Sequence, residues 1–476
     1  MARRLAAAVL IAAAFAACRR EAAPLRADGG LPPGPVLLVG LDGFEWSGVL
    51  PLLREGRLPH IAALLRRGSF GTLQTIPNRV SPALWTTIAT GKDIEKHGIL
   101  DFLKARKPAV FFSSADRRTK ALWNMLSERD RRSATIGWFV TYPAERVVGL
   151  MVAQANTAET MKAMRMKKGT LLEGVSGQVF PPQREAEVFD ALEGVERDLD
   201  LIMAERVPGQ LADVAPRHRA LVEANRWSFR ADETYLRTAL RAASEKPDLL
   251  AVYLGSTDVV AHRFWPIARP RRFPYRMLSE QRGKELAPRM TPGSWTSAFL
   301  GGLFWRAMEP SPESGFPARM LFRTYEYADQ VLGRLVDAMP KHTRVLVVSD
   351  HGFRPWHHTD APDAFFLAAG PGIREAGLAD PVKLTRGELR RIGHIHDIAP
   401  TLLSLLGLPF GQDMDGLPIE SALRRDPRFQ SPRPIPTWDD PEWLAARKLE
   451  GSAAAPAAAE EDAERLEQLR ALGYIQ

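Results

Sequence analysis

Three short stretches constrain this chain more than anything else in it: VLLVGLDGF (36–44), DLLAVYLGS (248–256) and RVLVVSDHG (344–352). Each is a continuous apolar run of strand length, lacking the polar alternation of a strand that faces water on one side. SATIGWFV (133–140) and AFFLAAGPG (364–372) are of the same kind. Helical patterns such as ALWNMLSE, YEYADQVLGRLVDAM and DIAPTLLSLLG separate them, and LPHIAALLRRGSFG reads as an amphipathic helix with a glycine stop. Strands buried on both faces and alternating with helices predict an α/β fold, a mostly parallel central sheet sandwiched by helices.

In an open parallel sheet, ligands sit beyond the carboxyl ends of the strands, so the residues that follow each run carry the functional argument. Asp42 follows the first, Asp258 and His262 follow the second, and Asp350 and His351 follow the third, with His357 and His358 a short loop further on. Asp258 and His262 are four apart and share one face of a helix, so both can converge on one ion. Mixed carboxylate and imidazole donors suit zinc first, with manganese or iron as alternatives. Each pair alone is weak evidence, because Asp at a strand end is commonly a turn or cap residue. Three strand ends supplying such residues together are much stronger. RVSPALWTTIATGK (79–92) adds a hydroxyl: Ser81 before Pro82 has the form of a helix cap, and a hydroxyl at a helix N-terminus is also well placed to attack a phosphate. Leu84 stands where a capping box would put Glu or Gln, which leaves the cap reading incomplete.

The remaining chain sets the frame. The opening MARRLAAAVLIAAAFAAC has the parts of a secretory signal, with Arg3 and Arg4, an apolar run too short to span a bilayer, and small residues before Cys18. Cys18, the single cysteine, falls where a bacterial lipoprotein is cut and lipidated, although Phe15 departs from the usual Leu of that pattern. The expected organisation is a signal peptide over 1–17, a Pro/Gly-rich linker over 18–34, one catalytic domain over 35–430, and a C-terminal extension with a short helix over 431–476. Two insertions interrupt the domain: a charged, helix-prone segment at about 155–245, which suits a helical cap, and a Pro/Arg/Trp-rich excursion at about 266–320. The net charge of +8 is spread along the chain and comes with no nucleic-acid motif, so no nucleic-acid partner is expected. The chain is expected to be periplasmic and held to the bacterial envelope by lipid; its oligomeric state is not legible.

The segments LLVGLDGFEW, SPALWTTIATGKDIEKHGILDF, GSTDVVAHRFWP, VVSDHGF and HTDAPDAFFLAAGPGI run in one order from residue 36 to about 373. In that order and content the chain resembles the alkaline phosphatase superfamily, in its type I phosphodiesterase/nucleotide pyrophosphatase branch. The resemblance implies an alkaline phosphatase-like fold with two divalent metal ions. Asp42, Asp350, His351 and the nucleophile Ser81 would hold one ion. Asp258, His262 and a later histidine would hold the other; His358 is favoured for that place, His357 is the runner-up, and His394 and His396 are weaker alternatives. It also implies a metal-dependent phosphohydrolase that cleaves phosphomonoesters or phosphodiesters through a phosphoseryl intermediate. His97 matches the family too and reads either as structural or as a residue that supports the ligands from behind.

Departures narrow the expectation. Nucleotide pyrophosphatases usually carry an Asn shortly after the HGI segment, where this chain has Asp101 or Phe102, so nucleotide specificity is in doubt. No CxPSR-like motif is present, which argues against a sulfatase, and the export signal argues against a phosphoglycerate mutase. The alternatives are an envelope phosphotransferase using the same site and a non-catalytic envelope binding protein on this fold.

Overall fold

The computed structural model describes residues 34–104, 110–154, 175–265, 268, 315–353, 361–425 and 432–446. Cys18, His357, His358 and most of the 266–320 excursion lie outside these residues.

The chain opens with β1 (Val36–Leu41), α1 (Trp46–Arg54), α2 (Pro59–Arg66), β2 (Gly68–Gln74), α3 (Ser81–Thr90) and the short α4 (Ile94–His97). A two-stranded hairpin follows, β3 (Leu103–Lys104) with β4 (Val110–Phe111), then α5 (Leu122–Ser127), β5 (Ser133–Ile136), β6 (Gly149–Val152) and β7 (Val179–Phe180). Two long helices, α6 (Glu185–Arg206) and α7 (Pro216–Ala243), precede β8 (Leu249–Leu254) and α8 (Ser256–Phe264). The last elements are α9 (Phe316–Ala338), β9 (Arg344–Val348), β10 (Ala364–Ala369), β11 (Arg391–His394) and α10 (Ile398–Leu405).

Nine strands form one sheet in the order β11-β2-β10-β9-β1-β8-β5-β6-β7. Its centre, from β9 through β1, β8 and β5 to β6, is parallel throughout, as the doubly apolar runs predict. Both flanks depart from this: on one side β10 runs antiparallel to both β9 and β2, and at the other edge β7 runs antiparallel to β6. Along β1 the side chains alternate between the two cores. Leu37, Val39 and Leu41 join the core beneath α1, α2, α6, α7 and α9, while Val36 and Leu38 join the core beneath α3, α5 and α10. Each fully buried Leu or Val of this kind contributes about 1.5–3 kcal/mol.

The helical expectation for 155–245 holds over 185–206 and 216–243, and α7 lies directly against β8 and β5 as part of the helical layer. Two local readings change. Gly68 does not end the amphipathic helix; it opens strand β2, where a Cβ would stand 2.1 Å from the Ala368 carbonyl, so only glycine allows β10 this close. The SATIGWFV run pairs only over 133–136, because Gly137 turns at φ +70° beneath the Tyr235 ring and ends the strand.

Candidate active site

Strands β9, β1 and β8 are neighbours and end level, with Gly40 opposite Tyr253 on one side and Val348 on the other. Everything that follows them in sequence therefore meets at one edge. Asp42 leaves β1 with its N–H held by the Leu254 carbonyl at 3.1 Å, and its own carbonyl accepts the Thr257 hydroxyl at 2.5 Å. Asp350 is reached two residues after β9; its carbonyl accepts the Thr75 hydroxyl at 2.7 Å and its Oδ1 accepts the Gly43 N–H at 3.4 Å. Gly43 takes φ +62°, and a Cβ there would stand 2.9 Å from Asp258 Oδ1, so glycine permits the two chains to meet.

Asp42, Asp350 and His351 form one buried cluster whose ligand atoms all lie within 4.8 Å of one another. His351 Nε2 stands 3.5 Å from Asp42 Oδ1 and 3.4 Å from Asp350 Oδ2. Its Nδ1 donates to the Gly352 carbonyl at 2.8 Å, which leaves the Nε2 lone pair aimed at the carboxylates. Burial first, and then the neighbouring Asp258, push the Asp42 carboxyl up to about 6. Burial, with Asp42 and Asp258 beside it, pushes Asp350 well above the ordinary carboxylate range.

Asp258 and His262 face each other one helical turn apart on α8, with Oδ1 and Nε2 separated by 3.4 Å. The His262 ring packs edge-on against Phe353, two residues past His351, at 4.9 Å between centroids. The two groups are thus adjacent at the strand ends. The third ligand expected for the second group, His358 or His357, lies outside the described residues. His394 and His396 belong elsewhere: His394 takes part in a cap with Asp397, and His396 Nε2 faces Asp93 at 3.6 Å.

Ser81 is not an N-cap. The cap position is Val80, Ser81 is the first helical residue, and its side chain bonds no helix N–H. Its Oγ instead donates towards Asp42 Oδ1 at 3.4 Å and is buried. The first turn is less open than the sequence suggests, because the Ala83 and Leu84 N–H groups both return to the Val80 carbonyl. What α3 presents is its dipole end, a positive field of about half an elementary charge. Of its two readings, the described contacts of His97 are structural: Nδ1 accepts the Ile99 N–H at 3.1 Å and Nε2 meets Thr87 Oγ1 at 3.0 Å, which ties α4 to α3.

Residues present at this edge fit a divalent cation. Three buried carboxylates converge: Asp258 raises the proton affinity of Asp42 and Asp350, Asp42 raises that of Asp350, and Asp350 Oδ2 is buried with no hydrogen-bond partner among the described residues. An uncompensated arrangement of this kind is costly, and a cation bound by carboxylate and imidazole relieves it.

Four contributors were not legible in the sequence. Tyr253 on β8 donates to Asp42 Oδ2 at 2.5 Å. Asp232 on α7 accepts the Gly255 and Ser256 N–H groups at 2.9 and 3.1 Å, clamping the start of the helix that carries Asp258 and His262. Glu45 Oε2 accepts the Phe353 N–H at 3.0 Å. Arg79, two residues before Ser81, has a buried Nε without a hydrogen-bond partner among the described residues.

A family model described as type I phosphodiesterase / nucleotide pyrophosphatase matches residues 36–398. The chain belongs to this family. Within it, all six ligand and nucleophile candidates that the structure describes fall inside the matched span. Among curated proteins, this family member is similar to 2,3-bisphosphoglycerate-independent phosphoglycerate mutases. It is 34% identical over 105 residues to that of Gloeobacter violaceus (20% of this chain, 19% of the relative) and 37% identical over 102 residues to that of Synechocystis sp. (19% and 18%). The chain thus spans about a fifth of the length of the curated relatives it matches. Among solved structures it is similar to a phosphonate monoester hydrolase from Silicibacter pomeroyi (16% identity, 83% of this chain and 78% of the other, TM-score 0.43). It is also similar to phosphonoacetate hydrolase from Sinorhizobium meliloti 1021 (15%, 69% and 59%, TM-score 0.37) and to a 2-O GAG sulfatase (12%, 84% and 76%, TM-score 0.46).

Proposed function

We propose that the chain is a metal-dependent phosphoester hydrolase in which Ser81 is the nucleophile. The observation that carries the reading is the Ser81 hydroxyl, which sits at a helix N-terminus and points at Asp42, a member of the Asp42/Asp350/His351 cluster. Asp42, Ser81, Asp350 and His351 would hold one ion, and Asp258, His262 and His358 the other, zinc first with manganese or iron as alternatives. Such ions supply Lewis-acid charge neutralisation of the phosphoryl group and lower the pKa of a bound hydroxyl.

The chain's own residues do the rest. The α3 dipole favours phosphoryl oxygens beside Ser81. Oγ passes its proton to Asp42 Oδ1 and attacks phosphorus in line, the P–O bond to the leaving group breaks, and the departing alkoxide takes a proton from water to leave as the alcohol. A phosphoseryl intermediate results, and water then hydrolyses it to restore Ser81. The buried setting keeps bulk water from the nucleophile until the leaving group departs. The chain acts outside the inner membrane and is tethered there by lipid at Cys18; no helix among the described residues is long and apolar enough to cross a membrane.

The test is a panel of aryl phosphates, phosphodiesters and phosphonates, with metal analysis, on protein lacking residues 1–18. Ser81→Ala retains its metal and its folding, and loses hydrolysis by roughly 10³-fold or more. Near-normal turnover in that variant removes the nucleophile assignment, and metal-free protein without turnover removes the hydrolase reading.

A further inference from the structure

The peptide unit that joins Gly352 to Phe353 is held at both ends. Its carbonyl, on Gly352, accepts the His351 Nδ1–H at 2.8 Å, and its N–H, on Phe353, donates to Glu45 Oε2 at 3.0 Å. A carboxylate, a peptide group and an imidazole therefore form one hydrogen-bonded chain. It ends at His351 Nε2, 3.4 Å from Asp350 Oδ2 and 3.5 Å from Asp42 Oδ1. The loop that carries this peptide is pinned as well: Ser349 Oγ donates to the His351 carbonyl at 3.0 Å, and the Gly352 N–H to the Pro362 carbonyl at 2.8 Å.

Glu45 is brought to the loop by β1 and α1. It is buried at the cap position of α1, where its carbonyl accepts the Gly48 and Val49 N–H groups at 3.2 and 3.3 Å. Its own N–H donates to the Tyr325 hydroxyl at 3.3 Å, and the Tyr325 ring stacks on Phe44 with centres 4.4 Å apart. The carboxylate can come this close only to a glycine: a Cβ on Gly352 would stand 2.7 Å from Glu45 Oε2 and 2.8 Å from Pro362 Cβ. The ring of Phe353 continues the path to the second group, edge-on to His262 at 4.9 Å and against Trp265 at 5.2 Å.

A negative charge on the N–H side of a peptide polarises it and strengthens its carbonyl as an acceptor. A stronger acceptor at Nδ1 fixes the imidazole as the Nδ1–H tautomer and makes Nε2 a better metal donor. A carboxylate bonded directly to a ligating histidine has the same effect; here a peptide group stands between them.

We infer that Glu45 is a positioning residue for the metal centre, acting on His351 through the Gly352–Phe353 peptide and on His262 through the Phe353 ring. The inference rests on the reading of the site as that of a metal-dependent hydrolase. Glu45 sets the tautomer and direction of one imidazole and the seat of the other.

Two measurements on the full chain test this: zinc affinity by competition with a chromophoric chelator, and the His351 Nδ1–H proton resonance in metal-free, ¹⁵N-histidine-labelled protein. The resonance needs neither metal nor turnover, and the wild type should show it protected from exchange. Glu45→Gln keeps an acceptor oxygen for the Phe353 N–H and removes the charge. Its resonance is expected to move upfield and its zinc affinity to fall about tenfold, with a melting temperature near that of the wild type. Glu45→Ala removes the acceptor too, and affinity falls about 10–100-fold. Phe353→Leu keeps the N–H bond, so the resonance stays while affinity falls through His262. A wild-type His351 in the Nε2–H tautomer overturns the inference whatever the variants do. So does a folded Glu45→Gln in which either the resonance or the zinc affinity is unchanged. Zinc bound with these shifts but no ester cleaved removes the hydrolase reading alone. Ester cleavage with zinc affinity intact in Glu45→Gln removes the role of Glu45 alone, and a wild type that binds no zinc removes both.

Discussion

The hydroxyl of Tyr253 donates to Asp42 Oδ2 at 2.5 Å, while Asp42 Oδ1 faces Ser81 and His351. One carboxylate therefore has a structural oxygen and a chemical one. Tyr253→Phe keeps the ring, which packs edge-on against Trp85 and Phe139, and removes only the donor. Asp42 is then free to rotate. Metal affinity and kcat/KM are expected to fall about 10–100-fold, and the metal-free protein to lose about 1–3 kcal/mol for the buried oxygen left without a partner. Metal titration and chemical unfolding check this, and an unchanged affinity would sink it.

Asp232 reaches the site through the start of α8, bonding the Gly255 and Ser256 N–H groups and the Ser256 side chain. Its two bonds to Gly255 and Ser256 satisfy helix-start donors that otherwise lack partners, and its charge suits the positive end of α8. Asp232→Asn puts a neutral amide where an anion stood. The expected loss is about 1–3 kcal/mol in thermal or urea unfolding. Loss of the second metal should precede loss of the first, since α8 carries only Asp258 and His262. If both metals titrate as in the wild type, α8 does not depend on this clamp.

His97 makes acid stability testable. Burial holds its pKa down at about 3, against an ordinary value of 6.5. Its neutral form both accepts from Ile99 and contacts Thr87, so the folded state resists protonation. The unfolded chain binds the proton from about 6.5 downwards and the folded chain does not. Its contribution to stability is complete above pH 6.5 and declines from there towards 3, by up to about 1.4 kcal/mol per pH unit. Urea unfolding at pH 7, 5.5 and 4 should show a shallower acid slope in His97→Gln than in the wild type. Parallel slopes would remove His97 from the account.

Gly40 governs how α3 sits on the sheet. A Cβ there would lie 2.7 Å from Trp85 and 3.3 Å from Trp138. Trp85 is four residues after Ser81, and Trp138 Nε1 donates to its carbonyl at 3.2 Å. Gly40→Ala should cost about 1–3 kcal/mol through overpacking. It should also lower kcat more than KM rises, because lifting α3 moves Oγ away from Asp42. A melting temperature and rate equal to the wild type would show that the helix tolerates the methyl group.

The parallel centre of the sheet was readable because strands covered on both faces carry their burial in composition, as Val36–Leu41, Leu249–Leu254 and Arg344–Val348 do. Their terminal carboxylates were readable for the same reason, since ligands collect where such strands end. β2 was not: five of the seven residues of GSFGTLQ are glycine or polar, and it is a strand because β10 and β11 pair with it on either side. The Ser81-Pro82 pair was half legible. Position at a helix start was correct, but which residue caps depends on the backbone of Val80, and no spacing rule reports that. Tyr253 and Asp232 were beyond reach because their partners lie 211 and 23 residues away, with nothing local to mark the pairing.

The order of strands also sets when this site exists. β1 is flanked by β8 and β9, so Asp42 meets Asp258 and Asp350 only after more than two hundred residues have been made and placed. Pairings of such long range are formed late, since the loops they close are large. Any chain interrupted before residue 344 holds one of the three residues of the first cluster, Asp42, and none of its imidazole. Under the proposed function, catalytic competence thus reports the pairing of β8, β1 and β9 and not the synthesis of any one of them.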